Sequence, residues 1–150
     1  MSTIVERTPF PQVLLIEDNK GDAILLKRAF KRADVSGNVT IANTAEIGLA
    51  MLRHEAGFSD TPLPDIMLLD INLPAMSGNQ FLEIVRSDPV FKLIPVIMMS
   101  SSEAELDIYA AYKSYASGFI TKPFSPLEYD KLVKTIEDYW FKLNETPKTH

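Results

Sequence analysis

The sequence predicts an α/β domain made of five βα units around a parallel sheet. Three observations predict it. Runs of four apolar residues recur at 13–16, 66–69 and 96–99, long enough for strands and too short for helices. They are apolar at every position rather than alternating, so both faces are buried, as in a parallel sheet covered by helices. Stretches of helical period separate them, and prolines and glycines stand at the joints.

The elements follow in order. The first strand is 13–16. A helix over 21–33 places Ala23, Leu26, Phe30 and Ala33 on one face. Ser36, Gly37 and Asn38 turn the chain into a strand at 39–42. Thr44 caps a second helix whose apolar residues are Ile47, Leu49, Met51 and Leu52, with Glu46 in its first turn. A long polar connection spans 53–64. Strand three is 66–69, and a loop through Pro74, Ser77 and Gly78 leads to a helix over 79–86. Pro95 opens strand four at 96–99, residues 103–115 form a helix, and Gly118 opens strand five at 119–121. Ser125 caps the last helix, with Pro126 at its first position and Glu128 nearby, and that helix runs to about residue 143. Right-handed crossovers leave few topologies. A flavodoxin-like doubly wound sheet of order 2-1-3-4-5 is expected, with its ligand crevice at the carboxyl ends of strands one and three.

The chain has 150 residues, which fits one domain with a real core over residues 12–143 and flexible tails at either end. Its net charge of −5, from 15 basic and 20 acidic residues, argues against nucleic acid as the main partner. It has no cysteine, and its two histidines, His54 and His150, are far apart, so neither a disulfide framework nor a zinc site is expected. His54 is read as an exposed helix residue and His150 as part of the tail. No apolar run approaches the ~20 residues of a membrane span, and residues 1–12 carry no apolar signal core. A cytoplasmic location is expected.

Four of the five strands stop at a residue of chemical interest. The first ends at Glu17 and Asp18, the third at Asp70, the fourth at Ser100 and the fifth at Lys122 and Pro123. Parallel strands bring these endings to one edge. Two carboxylates ~4 Å apart repel by about 4 kcal/mol at an effective dielectric of ~20, and a hard cation relieves this. Mg2+, or Mn2+ in its place, suits one or two carboxylates with waters and phosphate oxygens. Asp18 and Asp70 are the expected direct ligands, Glu17 acts through water, and the Asn72 carbonyl completes the protein's share. Lys122 can pair with Asp70 and later with a phosphoryl oxygen, and Ser100 offers it a hydroxyl. There is no base beside a serine and no glycine-rich phosphate loop. A carboxylate nucleophile that accepts a phosphoryl group fits the set. Taken singly, each of these residues has an ordinary reading as a turn, cap or solvated side chain; the combination carries the inference.

These residues resemble the receiver domain of two-component response regulators. The match rests on Glu17-Asp18, on Asp70 within Leu68-Leu69-Asp70-Ile71-Asn72-Leu73-Pro74, on Gly78 eight residues further, on Ser100, and on Lys122-Pro123. The resemblance covers residues 12–143. It implies that a partner histidine kinase phosphorylates Asp70, that Glu17 and Asp18 hold Mg2+, and that Ser100 and Lys122 grip the phosphoryl group. It also implies a cis peptide at Lys122-Pro123. Within the family, the start Asp18-Asn19-Lys20-Gly21-Asp22, the long 53–64 connection and the aromatic Tyr139-Trp140-Phe141 are similar to the small regulators paired with cyanobacterial phytochromes. Ser101 departs from the Ala or Gly usual after the serine, which bears on the access or lifetime of an acyl phosphate.

The resemblance places a switch at Ser100 and Phe119. Only seven residues follow Leu143, so the signal is expected to leave through a protein surface. The 103–115 helix has aromatics on two faces, with Leu106, Tyr109, Ala110 and Lys113 on one and Ile108, Tyr112 and Tyr115 on the other. A surface helix needs only one apolar stripe. The last helix uses Tyr129, Leu132, Val133, Ile136, Trp140 and Leu143 as core and leaves Tyr139 and Phe141 over. A homodimer through these two helices and strand five is expected, with Tyr109, Tyr112, Phe119, Tyr139 and Trp140 at its contact. The competing reading is an enzyme, an aspartyl-phosphate phosphatase of haloacid dehalogenase type. That superfamily needs a second Asp two residues after the nucleophile, where this chain has Asn72. A degenerate receiver acting as a scaffold is a third reading, and the complete set of site residues argues against it.

Overall fold

A computed structural model of the chain describes residues 12–33, 38–55, 57–101, 112–113, 115–123 and 125–138. The elements are β1 (Gln12–Ile16), α1 (Lys20–Arg32), β2 (Asn38–Ala42), α2 (Ala45–Leu52), β3 (Ile66–Asp70), α3 (Gly78–Ser87), a 3-10 turn (Phe91–Leu93), β4 (Val96–Ser100), β5 (Gly118–Thr121) and α4 (Pro126–Ile136). The strands are parallel and lie in the order β2-β1-β3-β4-β5, the flavodoxin-like arrangement expected. Most of the helix expected over 103–115 falls outside the described residues, as does the last helix beyond residue 138. Tyr109, Tyr139 and Trp140 fall there too.

The caps explain where the helices begin. The side chains of Asn19, Thr44, Ser77 and Ser125 accept the backbone N–H groups of Asp22, Ile47, Gln80 and Glu128. Each satisfies a donor that a helix start leaves without a partner. Ser77 and Gln80 reciprocate as a full capping box.

Side chains alternate across the sheet and make two apolar layers. Leu14, Ile16, Met67, Leu69, Val96 and Met98 face α2 and α3, with Phe81, Leu82 and Val85 packed over them. Val13, Leu15, Ile66, Leu68, Ile97 and Met99 face α1 and α4, against Leu26, Phe30, Tyr129 and Val133. Full burial of one such side chain contributes about 1.5–3 kcal/mol.

At the edge where the strands begin, Arg86 of α3 ties three segments together. Its Nε donates to the Tyr115 carbonyl at 2.8 Å, and one Nη donates to the carbonyls of Lys92 at 3.2 Å and Ile94 at 2.9 Å. Burial holds its pKa below the ordinary arginine value.

Two expectations are corrected. His54 lies in a turn after α2 with φ of 57°, not in the helix. Its ring Nε2 meets the Thr61 carbonyl at 2.8 Å, which accounts for its place. No cis peptide bond occurs among the described residues, so Lys122–Pro123 is trans. Trans is the form that X–Pro bonds favour by about 0.5–1 kcal/mol.

Candidate functional site

The strand register builds the site. Ile16 pairs with Leu69, so Glu17 comes level with Asp70. Asp70 pairs with Met99, and Ser100 with Thr121. The ladder runs one residue past the strands: Glu17 N–H donates to the Ala42 carbonyl at 3.0 Å, Ile71 N–H to Met99 at 2.9 Å, and Lys122 N–H to Ser100 at 2.7 Å. The backbone that carries each chemical group is therefore fixed by the sheet.

Alternation decides on which side each group stands. Glu17, Asp70 and Lys122 continue the parity of Leu15, Leu68 and Ile120, which face α1 and α4. Lys122 Nζ reaches Glu17 Oε1 at 2.6 Å and Asp70 Oδ2 at 3.1 Å. One carboxylate oxygen each from Glu17, Asp18 and Asp70 lies within 4.8 Å of the others. Glu17 is as much a member of this group as Asp18, although the sequence placed it a water further out. Ser100 continues the parity of Met98 and faces α2 and α3. Ser100 is fully buried. Phe119, level with Met98 in the register, packs half-buried on the same layer. Asn72 turns its backbone N–H onto Asp70 Oδ1 at 3.0 Å. Tyr112 is exposed, 52%, and Ser101 is exposed at the rim.

The electrostatics match this crowding. Burial drives Glu17 up to about 8, its hydrogen bond to Asp70 adds to the rise, and Lys122 opposes it. Asp70 moves the other way. Burial pushes it up, but the hydrogen bond from Glu17, the Asn72 N–H and Lys122 outweigh that and hold it below the usual carboxylate range. Lys122 sits above the ordinary lysine value, because Glu17 and Asp70 overcome the effect of burial. The two shifts run in opposite directions, so a proton shared by the pair is favoured on Glu17 over Asp70. An all-oxygen donor set carrying excess negative charge fits a hard divalent cation.

Gly78 closes the site from below. A Cβ there would collide with the Asp70 carbonyl oxygen and stand 2.8 Å from Ile71 Cα. Only glycine lets the start of α3 approach the end of β3 this closely. Two site neighbours escaped the sequence reading. Asp22, in the first turn of α1, reaches Lys122 Nζ at 3.3 Å, and Tyr129, assigned to core, is close enough to Asp22 for that charge to raise its pKa, after the larger effect of burial. Their signal was the helical period, which brings Asp22 and Tyr129 to facing surfaces of α1 and α4.

A carboxylate at the end of a central strand, flanked by acids and a lysine in a doubly wound sheet, is an arrangement able to take a hard cation and a phosphoryl group. Residues 13–137 match the response regulator receiver domain, and the chain belongs to that family. It is 29% identical over 142 residues to the response regulator Rcp1 of Synechocystis sp., covering 95% of this chain and 97% of that protein. The structure of the phosphorylated cyanobacterial phytochrome response regulator RcpA superposes with a TM-score of 0.86 at 33% identity, over 93% of this chain and 99% of that one. The Mn2+-bound form of Rcp1 gives 0.83 at 28%, over 92% and 99%. The phosphatase alternative finds no support in these matches. Among the described residues, no helix is long and apolar enough to cross a membrane.

Proposed function

We propose that the protein is a phosphorylation-dependent switch of two-component signalling in which Asp70 is the phosphoacceptor. The observation that carries this reading is the convergence of Glu17, Asp18, Asp70 and Lys122 on the carboxyl edge of the sheet. Asp70 attacks the phosphorus of a phosphohistidine on a partner kinase. The P–N bond breaks, its electron pair leaves with the imidazole, and an acyl phosphate forms on Asp70. Lys122 donates hydrogen bonds to the phosphoryl oxygens and keeps its protons. Glu17, Asp18, Asp70 and the Asn72 carbonyl would hold Mg2+ or Mn2+, which supplies charge neutralisation on the phosphoryl oxygens. Water attack on phosphorus later returns Asp70 and inorganic phosphate, so the protein resets without acting as an enzyme on other substrates.

Ser100 and Phe119 share the other face of the sheet and form the switch. Drawing the serine hydroxyl toward a phosphoryl group shifts an existing equilibrium of the Phe119 ring. The similarity to Rcp1 and RcpA supports a phytochrome-type histidine kinase as partner. The exposed Tyr112 supports a homodimer contact that includes Tyr109, Phe119, Tyr139 and Trp140. The location is cytoplasmic, where such a kinase presents its phosphohistidine.

The test is a small phosphodonor with Mg2+. The wild type gains a phosphate that is released by mild alkali, and Asp70→Asn gains none because an amide forms no acyl phosphate. Persistent labelling of Asp70→Asn would falsify the site assignment. Phosphotransfer profiling against the histidine kinases of the source organism identifies the partner.

A further inference from the structure

One carboxylate at the site belongs neither to the group that could hold a metal nor to the acceptor. Lys122 Nζ carries three N–H donors, and three acids face it: Glu17 Oε1 at 2.6 Å, Asp70 Oδ2 at 3.1 Å and Asp22 Oδ2 at 3.3 Å. Glu17 and Asp70 lie in the metal-type cluster with Asp18, and Asp22 does not. Asp22 stands on α1, with its backbone N–H held by Asn19 Oδ1 at 2.9 Å. The buried Tyr129 of α4 lies beside Asp22. Burial, with the Asp22 charge beside it, pushes the Tyr129 phenol up to about 12. The ion pair between α1 and α4, Arg32 with Asp130, is more exposed, at 47% and 38% against 13% and 33% for Lys122 and Asp22; it is screened and touches nothing in the site.

We propose that Asp22 is the positioning residue for Lys122. The inference rests on the phosphoacceptor reading above and adds to it a residue outside the metal and acceptor groups. When Glu17 and Asp70 turn to a cation and a phosphoryl group, two of the three partners of Lys122 change. The lysine side chain is a flexible four-carbon stem. Asp22 sits on a helix that takes no part in the chemistry, so it keeps the ammonium aimed at the edge while the other two change. It acts only by hydrogen bond and charge and transfers no proton. Its effect is on how fast Asp70 takes up a phosphoryl group and how fast the acyl phosphate is lost.

The experiment measures phosphorylation of the full chain by phosphoramidate and Mg2+, with Mg2+ affinity measured separately by calorimetry. Asp22→Ala slows labelling about tenfold, as expected for a lost hydrogen bond to a charged group. Asp22→Asn, whose amide oxygen still accepts, lies between it and the wild type. Mg2+ affinity stays within about twofold of wild type in both. In a Lys122→Ala background, Asp22→Ala has no further effect, because it acts through the lysine. An unchanged rate in Asp22→Ala overturns the proposal. So does an undiminished loss in the Lys122→Ala background, or a parallel loss of Mg2+ affinity, which would mark a merely structural role. An unlabelled wild type is a different failure, and it overturns the phosphoacceptor reading itself.

Discussion

The two faces of the sheet differ most at the edge where the strands end. Toward α1 and α4, Glu17, Asp70, Asp22 and Lys122 form a compact ionic knot in which the ammonium meets every carboxylate within 3.3 Å. Toward α2 and α3, the same edge carries the buried Ser100 hydroxyl and, level with it, Thr121, above an apolar layer of Met98 and its neighbours on which Phe119 packs. Neighbouring residues of β4, Met99 and Ser100, belong to opposite sides. Strand alternation thus separates the two sides of one edge: the charged groups stand on one face, and Ser100 and Phe119 on the other.

That division can be broken by experiment, beginning with the largest effect. Lys122→Ala removes the shared counter-ion of a buried acid pair. It should slow labelling by at least a hundredfold (about 3 kcal/mol, the low end for breaking a buried ion pair) and lower stability in EDTA. Urea unfolding and phosphodonor kinetics check both, and normal values would remove the lysine from the site. Phe119→Ala should leave labelling within about threefold of wild type while abolishing the phosphorylation-dependent change in partner binding, at a stability cost of about 3 kcal/mol. Lost labelling in that variant would mean that the faces are not separate. Gly78→Ala forces a methyl against the Asp70 carbonyl; it should cost about 1–3 kcal/mol and reduce labelling in parallel, since it displaces the acceptor itself.

A pH titration sharpens the contrast further. In metal-free protein the folded chain keeps the Glu17 proton up to about 8, against 4.5 for a free glutamate. Between those values the folded state binds more protons than the unfolded one, so stability falls as pH rises. Asp70, held low, acts in the opposite sense below its ordinary value and loses its contribution as pH drops. The melting temperature in EDTA should therefore fall from pH 5.5 to pH 8, and saturating Mg2+ should flatten the slope by displacing the proton. A flat profile in EDTA would remove the shared proton. The smallest effect concerns neither face: Ser77→Ala loses a helix cap, for about 1 kcal/mol of stability with labelling retained.

The strand endings were legible because an apolar run that stops abruptly at an acid or a lysine needs no knowledge of packing. Crossover handedness left few strand orders, and two of the four caps, Thr44 and Ser125, followed from side-chain chemistry alone. What stayed hidden depends on three dimensions. Asp22 is one of several polar residues in the first turn of α1, and its role appears only when Lys122 stretches from β5 across to α1. Arg86 has the look of a solvated helix cation, yet it is enclosed by carbonyls. Positive φ at His54, Ala75 and Tyr115 had no local signal, because none is the glycine or asparagine that favours this region. The 3-10 turn at Phe91–Leu93 is set by Asp88, whose side chain accepts the N–H groups of Val90 and Phe91; in sequence that aspartate reads as a simple end of helix.

Arg86 has a mechanical meaning. With a guanidinium riveted to two separate stretches of main chain, at Lys92–Ile94 and at Tyr115, the end of the sheet remote from the acids is built in, as the root of a cantilever is. A beam fixed at its root deflects most at its tip, and here the tip is the Ser100–Lys122 edge. Loosening that root, as Arg86→Met would, should spread any displacement at the acidic edge over the whole molecule instead of concentrating it at the tip.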